Sequence, residues 1–355
     1  MFIVCLSFVM MGLCLVSLVA EEAALVRTSV ASVWISKEGY VQPPYRFPIW
    51  GEDGDNEKKI PKHDTQILYN DRVQIIEVDA SSQWAKVRIE RQPIFRKADD
   101  AFGPYVGWVK MDDLLVVGND NVQRPTATVC KAWGIVYKEP HYNAEIITKV
   151  SLGTRLHAKP FVTSPRGGAI SWLIVHLPDG MVGFMQGSEV INLSAIVTLS
   201  EEEQRDKVIQ AAQALLGHPY CWGGSSAFDP TCIDTHLTSL DCSGLTMLSY
   251  SVIGRDLARN ASCQLRRARV IEPCDVKKGD LIFIKSARYN YERVNHVLMA
   301  LDYNLIIEAS PIISDAKVRI ISQADAFGAP LTELKNGQRI EDRGIEIYCG
   351  SFFGG

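Results

Sequence analysis

The chain has 355 residues, more than one hydrophobic core usually serves, so two or three domains are expected. Hydrophobic residues make up 47% and charged residues 22%, which excludes a disordered chain. A formal net charge of -4, with no Lys/Arg-rich run to override it, argues against a nucleic-acid partner.

Residues 1–20 carry no charged side chain and are almost wholly apolar, and Glu21 and Glu22 follow at once. The pattern predicts a secretory signal cleaved near Ala20. It is an imperfect one, because no Lys or Arg precedes the apolar run and Leu18 sits where a small residue is preferred. About 20 apolar residues also suffice for an uncleaved membrane anchor, and a buried core helix is the third reading. The first two place the protein outside the cytoplasm, in the periplasm or cell envelope. Cys5 and Cys14 lie in this leader, leaving seven of nine cysteines, so at least one thiol has no partner.

After the leader, short strand-like runs carry Val73, Ile75 and Val78, then Trp84, Val87 and Ile89, then Gly107-Trp108-Val109. The pattern recurs. Trp84-Ala-Lys-Val-Arg and Tyr105-Val-Gly-Trp-Val-Lys are echoed by Trp172-Leu-Ile-Val-His and Met181-Val-Gly-Phe-Met-Gln. Two copies of a strand pair with a Gly-aromatic step predict two small all-β barrels in tandem, over residues 21–120 and 125–198. Residues 119–125 are the expected link, and one larger β-domain is the alternative.

At Ser200 the texture changes. Ser200 and Glu203 make a capping box, and Val208, Ile209, Ala212, Leu215 and Leu216 recur at helical spacing up to Gly217. A second helix is expected from Cys242, with Leu245, Leu248 and Val252 facing a core. Strand-like runs follow at residues 280–284, 296–301, 305–307 and 318–321. Helices first and consecutive strands after predict an α+β unit over residues 199–355.

Cys242 stands in Leu240-Asp-Cys-Ser-Gly-Leu245, at the predicted start of that helix. Unpaired N–H groups and the positive end of a helix dipole favour a thiolate there, and the thiolate is the nucleophile. His296 opens an apolar strand 54 residues later, where a sheet can hold the imidazole rigidly. Glu308 lies 12 residues beyond it on the next predicted strand, able to orient one ring nitrogen and leave the other for the thiol. A buried structural cysteine and a core histidine are the bland alternatives.

Four motifs in order narrow the choice: Gly217-His-Pro-Tyr-Cys-Trp-Gly-Gly224, Asp241-Cys-Ser-Gly-Leu245, Lys278-Gly-Asp-Leu-Ile-Phe283 and Asn295-His-Val297. Together they resemble the NlpC/p60 family, from about Ser200 to the C-terminus. The resemblance implies a papain-like fold and hydrolysis of peptide bonds in peptidoglycan stem peptides. It implies Cys242 as nucleophile, His296 as base, Glu308 in the third polar position and Tyr220 at the oxyanion. Trp222, Asp241 and Ser243 would line the cleft. The preceding units resemble bacterial SH3-like domains. That arrangement is similar to the subgroup cleaving the γ-D-glutamyl bond to the diamino acid in muropeptides with a free N-terminal L-alanine. There an acid and a tyrosine of the first SH3-like domain close the cleft, which points here to Asp71 and Tyr105.

Three departures stand out. Glu308 replaces the commoner histidine, and Asn260 stands where the subgroup often has aspartate. Sixteen residues separate Gly224 from Asp241, a longer stretch than usual, including Asp229, Cys232, Asp234 and His236. They read as a surface loop or a lid. Cys232 and His236 alone do not make a metal site, and no metal or other cofactor is expected. An amidase or acyltransferase on the same scaffold, or a cell-wall peptide-binding protein with weak activity, are the alternative functions.

Overall fold

The structure, a computed structural model, describes residues 22–40, 63–118, 123–161, 172–231, 240–302, 304–310, 312 and 316–354. The predicted leader, half of the 225–240 insert with Cys232, Asp234 and His236, and part of the 119–125 link lie outside the described residues. All six described cysteines are free thiols, so packing and polar contacts alone hold these parts together.

Three units built on antiparallel sheets follow one another. The first unit holds β1 (Glu22–Val26), β2 (Val30–Val33), β3 (Thr65–Leu68), β4 (Arg72–Val78), β5 (Trp84–Arg96), β6 (Ala101–Lys110) and β7 (Leu114–Val117). Five strands run in the order β6-β5-β4-β1-β7, and β2 pairs with β3. Alternation turns Val33, Ile67, Ile75 and Ile89 inward, where they are buried together.

The second unit holds β8 (Ala127–Val129), β9 (Trp133–Tyr137), β10 (Ile146–Ser151), β11 (Arg155–Phe161), β12 (Trp172–His176), β13 (Val182–Gln186) and β14 (Val190–Asn192). Their order is β10-β9-β13-β12-β11-β8-β14. The repeated Gly-aromatic step has a packing reason. A Cβ on Gly107 of β6 would overlap the Val33 side chain, and one on Gly183 of β13 would overlap that of Val136. The sequence pattern predicts closed barrels; among the described residues neither strand order closes on itself.

The third unit begins with α1 (Leu193–Ile196), α2 (Glu201–Gln213), α3 (Cys242–Ser251) and α4 (Ala261–Arg267). The Ser200–Glu203 capping box is formed at the head of α2. Seven strands follow: β15 (Arg269–Ile271), β16 (Leu281–Ser286), β17 (Val294–Ala300), β18 (Leu305–Ala309), β19 (Val318–Ser322), β20 (Arg339–Ile340) and β21 (Ile345–Ser351). The sheet order is β15-β21-β16-β17-β18-β19, with β20 beside β21. Every residue of α3 is buried, and Leu245 and Leu248 share a core with Val297 and Met299 of β17. The helix is thereby fixed against the strand that carries His296.

The first unit docks on the third through buried polar groups. Ser225 donates its N–H to the Gln66 side chain and its hydroxyl to the Gln66 carbonyl, at 3.0 and 3.1 Å. Arg259, 1% exposed, reaches both sides of the joint. Its Nε donates to Thr65 Oγ1 at 2.6 Å, and its Nη2 donates to Asp241 Oδ2 at 2.7 Å. Asp256 ties the second unit in, taking Arg155 at 2.8 and 3.0 Å and Arg91 of β5 at 3.3 Å. Breaking a buried ion pair by removing one partner costs about 3–5 kcal/mol, because the other charge stays buried. Arg259→Met should therefore lower the unfolding free energy in urea by about that amount. A loss under about 1 kcal/mol would show that the joint does not depend on the pair.

Candidate active site

The local chemistry of Asp241-Cys-Ser-Gly explains where the chain puts its thiol. Asp241 is the N-cap of α3, and its Oδ1 accepts from Gly244 N at 2.6 Å and from the Ser243 hydroxyl at 3.0 Å. Its Oδ2 accepts from Gly223 N at 3.0 Å and from Arg259. Gly244 has no tolerance for a side chain, because a Cβ there would overlap the Gly224 carbonyl oxygen. Cys242 is thus the first helical residue, 7% exposed, beside the unpaired N–H groups of the helix start.

β17 and β18 pair Met299 with Ile307, which sets Glu308 opposite Leu298, two residues from His296 on the same face. His296 Nε2 and Glu308 Oε2 are 2.6 Å apart. The imidazole also interacts with the Cys242 side chain, which favours its protonated form. Across the next ladder Arg319 faces Glu308 directly, and its Nε and Nη2 donate to Oε1 at 3.0 and 2.9 Å. His296, Glu308 and Arg319 form one row of hydrogen bonds that ends at Cys242.

Electrostatics follows from that row. Burial alone would lower the His296 pKa; the Cys242 charge and hydrogen bond, then Glu308, outweigh it and push the imidazole up to about 10. Burial would raise the Glu308 carboxyl, but bonds from His296 and Arg319 hold it below its ordinary value. The Tyr220 phenol is raised, first by burial and then by the Cys242 charge, so it remains a donor.

Cys242 opens onto a cleft of about 230 Å³. Tyr220, Trp222, Asn260 and Ser243 line it from the third unit, and Asp64 and Tyr105 from the first. The Tyr105 hydroxyl donates to Asp64 Oδ2 and so orients that carboxylate at the cleft. Tyr289, Arg293 and Asn295 form another part of the lining. A thiol at a helix start, bonded to an imidazole that a carboxylate orients, can attack a carbonyl and form an acyl-enzyme.

The family model of the NlpC/P60 family matches residues 217–327. The third unit is an NlpC/P60 cysteine-peptidase domain. The γ-D-glutamyl-L-lysine dipeptidyl-peptidase of Bacillus cereus (strain ATCC 10987) is 28% identical over 304 residues, 81% of this chain and 83% of that protein. Dipeptidyl-peptidase 6 of Lysinibacillus sphaericus is 26% identical over 256 residues, 69% of this chain and 79% of that protein. The crystal structure of an NlpC/P60 family protein from Bacillus cereus ATCC 10987 superposes with a TM-score of 0.66. It covers 94% of this chain and 100% of that one at 22% identity, which is a likeness of fold.

Within the NlpC/P60 domain the predicted Cys242, His296, Glu308 and Tyr220 come together, and Trp222 stands at the rim, 63% exposed. Asp241 and Ser243 line the cleft, but their polar atoms are taken by α3, Gly223 and Arg259 rather than open to a ligand. The Asn260 side chain is exposed and makes no capping bond to α4.

Asp71 is a correction. It is buried in the first unit, where its Oδ2 accepts from Leu68 N at 2.9 Å and its Oδ1 is ion-paired with Arg91. It does not line the cleft; Asp64 does, four residues before the motif that suggested Asp71. Arg259 and Arg319 also went unmarked by sequence reasoning. Arg319 could have been found as the cation facing an acid once the β18–β19 register was known.

The row predicts a titration. Because the His296 pKa is raised above 6.5, the stability it brings is complete below that value and is lost as pH rises through about 10. Glu308→Gln removes a charged acceptor, so the His296 midpoint followed by NMR should drop toward 6.5 and the alkaline loss of stability should begin earlier. An unmoved midpoint would show that Cys242 alone holds the imidazolium.

Proposed function

We propose that the protein hydrolyses peptidoglycan stem peptides, cleaving the γ-D-glutamyl bond to the diamino acid of muropeptides with a free N-terminal L-alanine. The observation carrying this reading is a Cys242–His296 pair in a cleft walled on one side by the first unit. Cys242 is the nucleophile. His296 takes its proton and returns it to the leaving amine, and Glu308 orients the ring. Tyr220, kept protonated, and the Cys242 N–H are the donors for the oxyanion.

Asp64 and Tyr105 form the grip on the substrate's ammonium, and Asn260 adds an amide oxygen. A charge desolvated in a narrow cleft needs such partners, and a wall contributed by another unit limits how much chain extends past them. The names of the two relatives, both dipeptidyl-peptidases, support a short amino-terminal product. Each β-unit is read as an SH3-like domain, over residues 21–120 and 125–198, ahead of a papain-like unit at residues 199–355. Residues 1–20 direct export to the cell envelope, as a signal or an anchor.

Cys242→Ala should abolish hydrolysis of L-Ala-γ-D-Glu-L-Lys followed by mass spectrometry, with the circular dichroism spectrum retained. Residual turnover near the wild-type rate would remove the nucleophile. A charge-assisted hydrogen bond is worth about 1.5–3 kcal/mol, roughly a ten- to hundredfold change in kcat/KM. Asp64→Asn, or acetylation of the substrate amine, should each lower kcat/KM by about that factor. Combining the two should add little further loss, because both remove one interaction. Equal efficiency on free and acetylated peptide would remove the amine grip. Asp71→Asn, by contrast, should act on stability rather than on this selectivity.

A further inference from the structure

Arg293 is a cation in the cleft that the proposed chemistry does not use. It lies just ahead of β17, three residues before His296, and lines the cleft together with Tyr289 and Val294. Its guanidinium carbon sits 4.4 Å from the centre of the Tyr289 ring, so the aromatic face holds the head group in place. Among the described residues no carboxylate pairs with it, whereas Arg259, Arg319, Arg91 and Arg155 all have one. Of the two acids in the lining, Asp241 is paired with Arg259 and Asp64 lies on the wall of the first unit. The turn presenting Tyr289 holds Asn290 and Tyr291 in the left-handed region, at φ 50° and 58°.

Direction comes from the chemistry. As the thioester carbon–sulfur bond forms on Cys242 and the carbon–nitrogen bond breaks, the proton on His296 must pass to the departing nitrogen. The leaving residue therefore lies alongside the imidazole and the segment that leads into β17. Arg293 is on that segment. An amine grip on the first unit and a guanidinium on the segment leading to His296 together fit a peptide with an ammonium at its front and an anion on its leaving residue.

Resting on the peptidase reading above, we infer that Arg293 is a specificity-determining residue that binds a carboxylate carried by the side chain of the leaving diamino acid. The substrate class it favours has a diamino acid with a second carboxylate, such as diaminopimelate, over one that ends in a bare amine, such as lysine. Lysine would set its ammonium against the guanidinium, and diaminopimelate would offer a planar acceptor for the guanidinium fork.

The test compares L-Ala-γ-D-Glu-diaminopimelate with L-Ala-γ-D-Glu-L-Lys on the full-length protein. In both, the carboxyl on the main-chain side of the leaving residue is amidated, so that the two substrates differ at the side-chain terminus alone. Arg293 is solvent-exposed, and screening keeps the expected preference modest, at about five- to tenfold in kcat/KM for diaminopimelate. Arg293→Gln should bring the ratio of the two efficiencies toward one, and Arg293→Glu should turn it in favour of lysine. A ratio of one in the wild type, or a ratio that Arg293→Gln leaves unchanged, overturns the assignment while the peptidase reading stands. Failure to cleave either peptide overturns both.

Discussion

Everything at the active site hangs on the carboxylate of Asp241. It takes the Gly244 N–H and the Ser243 hydroxyl on one oxygen, and the Gly223 N–H and the Arg259 guanidinium on the other. Burying an ion pair costs several kcal/mol per ion and repays it only when the remaining lone pairs and protons are satisfied. Here they are, and the donors belong to three different parts of the chain. The helix that starts with Cys242, the loop that carries Tyr220 and Trp222, and Arg259, bonded to Thr65 of the first unit, all converge on two oxygen atoms. A shift in any of them moves the nucleophile. The first unit is therefore part of the site's construction as well as a wall of it.

The second organising feature is the alternation of charge along Cys242, His296, Glu308 and Arg319. Glutamate in the third position is more basic to the imidazole than a neutral ring would be, and unopposed it would be a costly buried anion. Arg319 supplies the opposition from the neighbouring strand, at 21% side-chain exposure, so the row ends where water begins. The result is a histidine whose protonated form is favoured across the neutral range. Burial works against that outcome and loses, because Cys242 and Glu308 both work for it.

What the sequence made legible was whatever depends on local rules. The capping box at Ser200, the helix starting at Cys242, the strand starting near His296 and the twelve-residue step to Glu308 are written in spacing and residue type alone. The misplaced acid shows where local rules stop. Asp64 and Asp71 flank the same short strand, β3, and both sit in polar stretches. Which of them meets the cleft is settled by how the first unit docks, through Ser225, Gln66 and Arg259. Arg91 then claims the other. Arg259 was hidden for a similar reason: an arginine in Leu-Ala-Arg-Asn-Ala reads as a surface residue until its partners arrive from 18 and 194 positions away.

The same docking also decides what the cleft can hold. Of its two acids, one is neutralised inside the structure, so the cleft presents the half-buried Asp64 on the wall of the first unit and the exposed Arg293 just ahead of β17. Under the proposed function, a cleft of about 230 Å³ with a negative and a positive group in its lining would select by charge placement more than by apolar fit. Under the proposed function this explains why the β-units are joined to the third unit by buried polar bonds rather than by a loose linker. A grip on an ammonium works only if its distance to the thiol is fixed, since a misplacement of about 1 Å can cost a hundredfold in rate. Hydrogen bonds at 2.6–3.1 Å between Arg259, Thr65, Gln66 and Ser225 fix that distance.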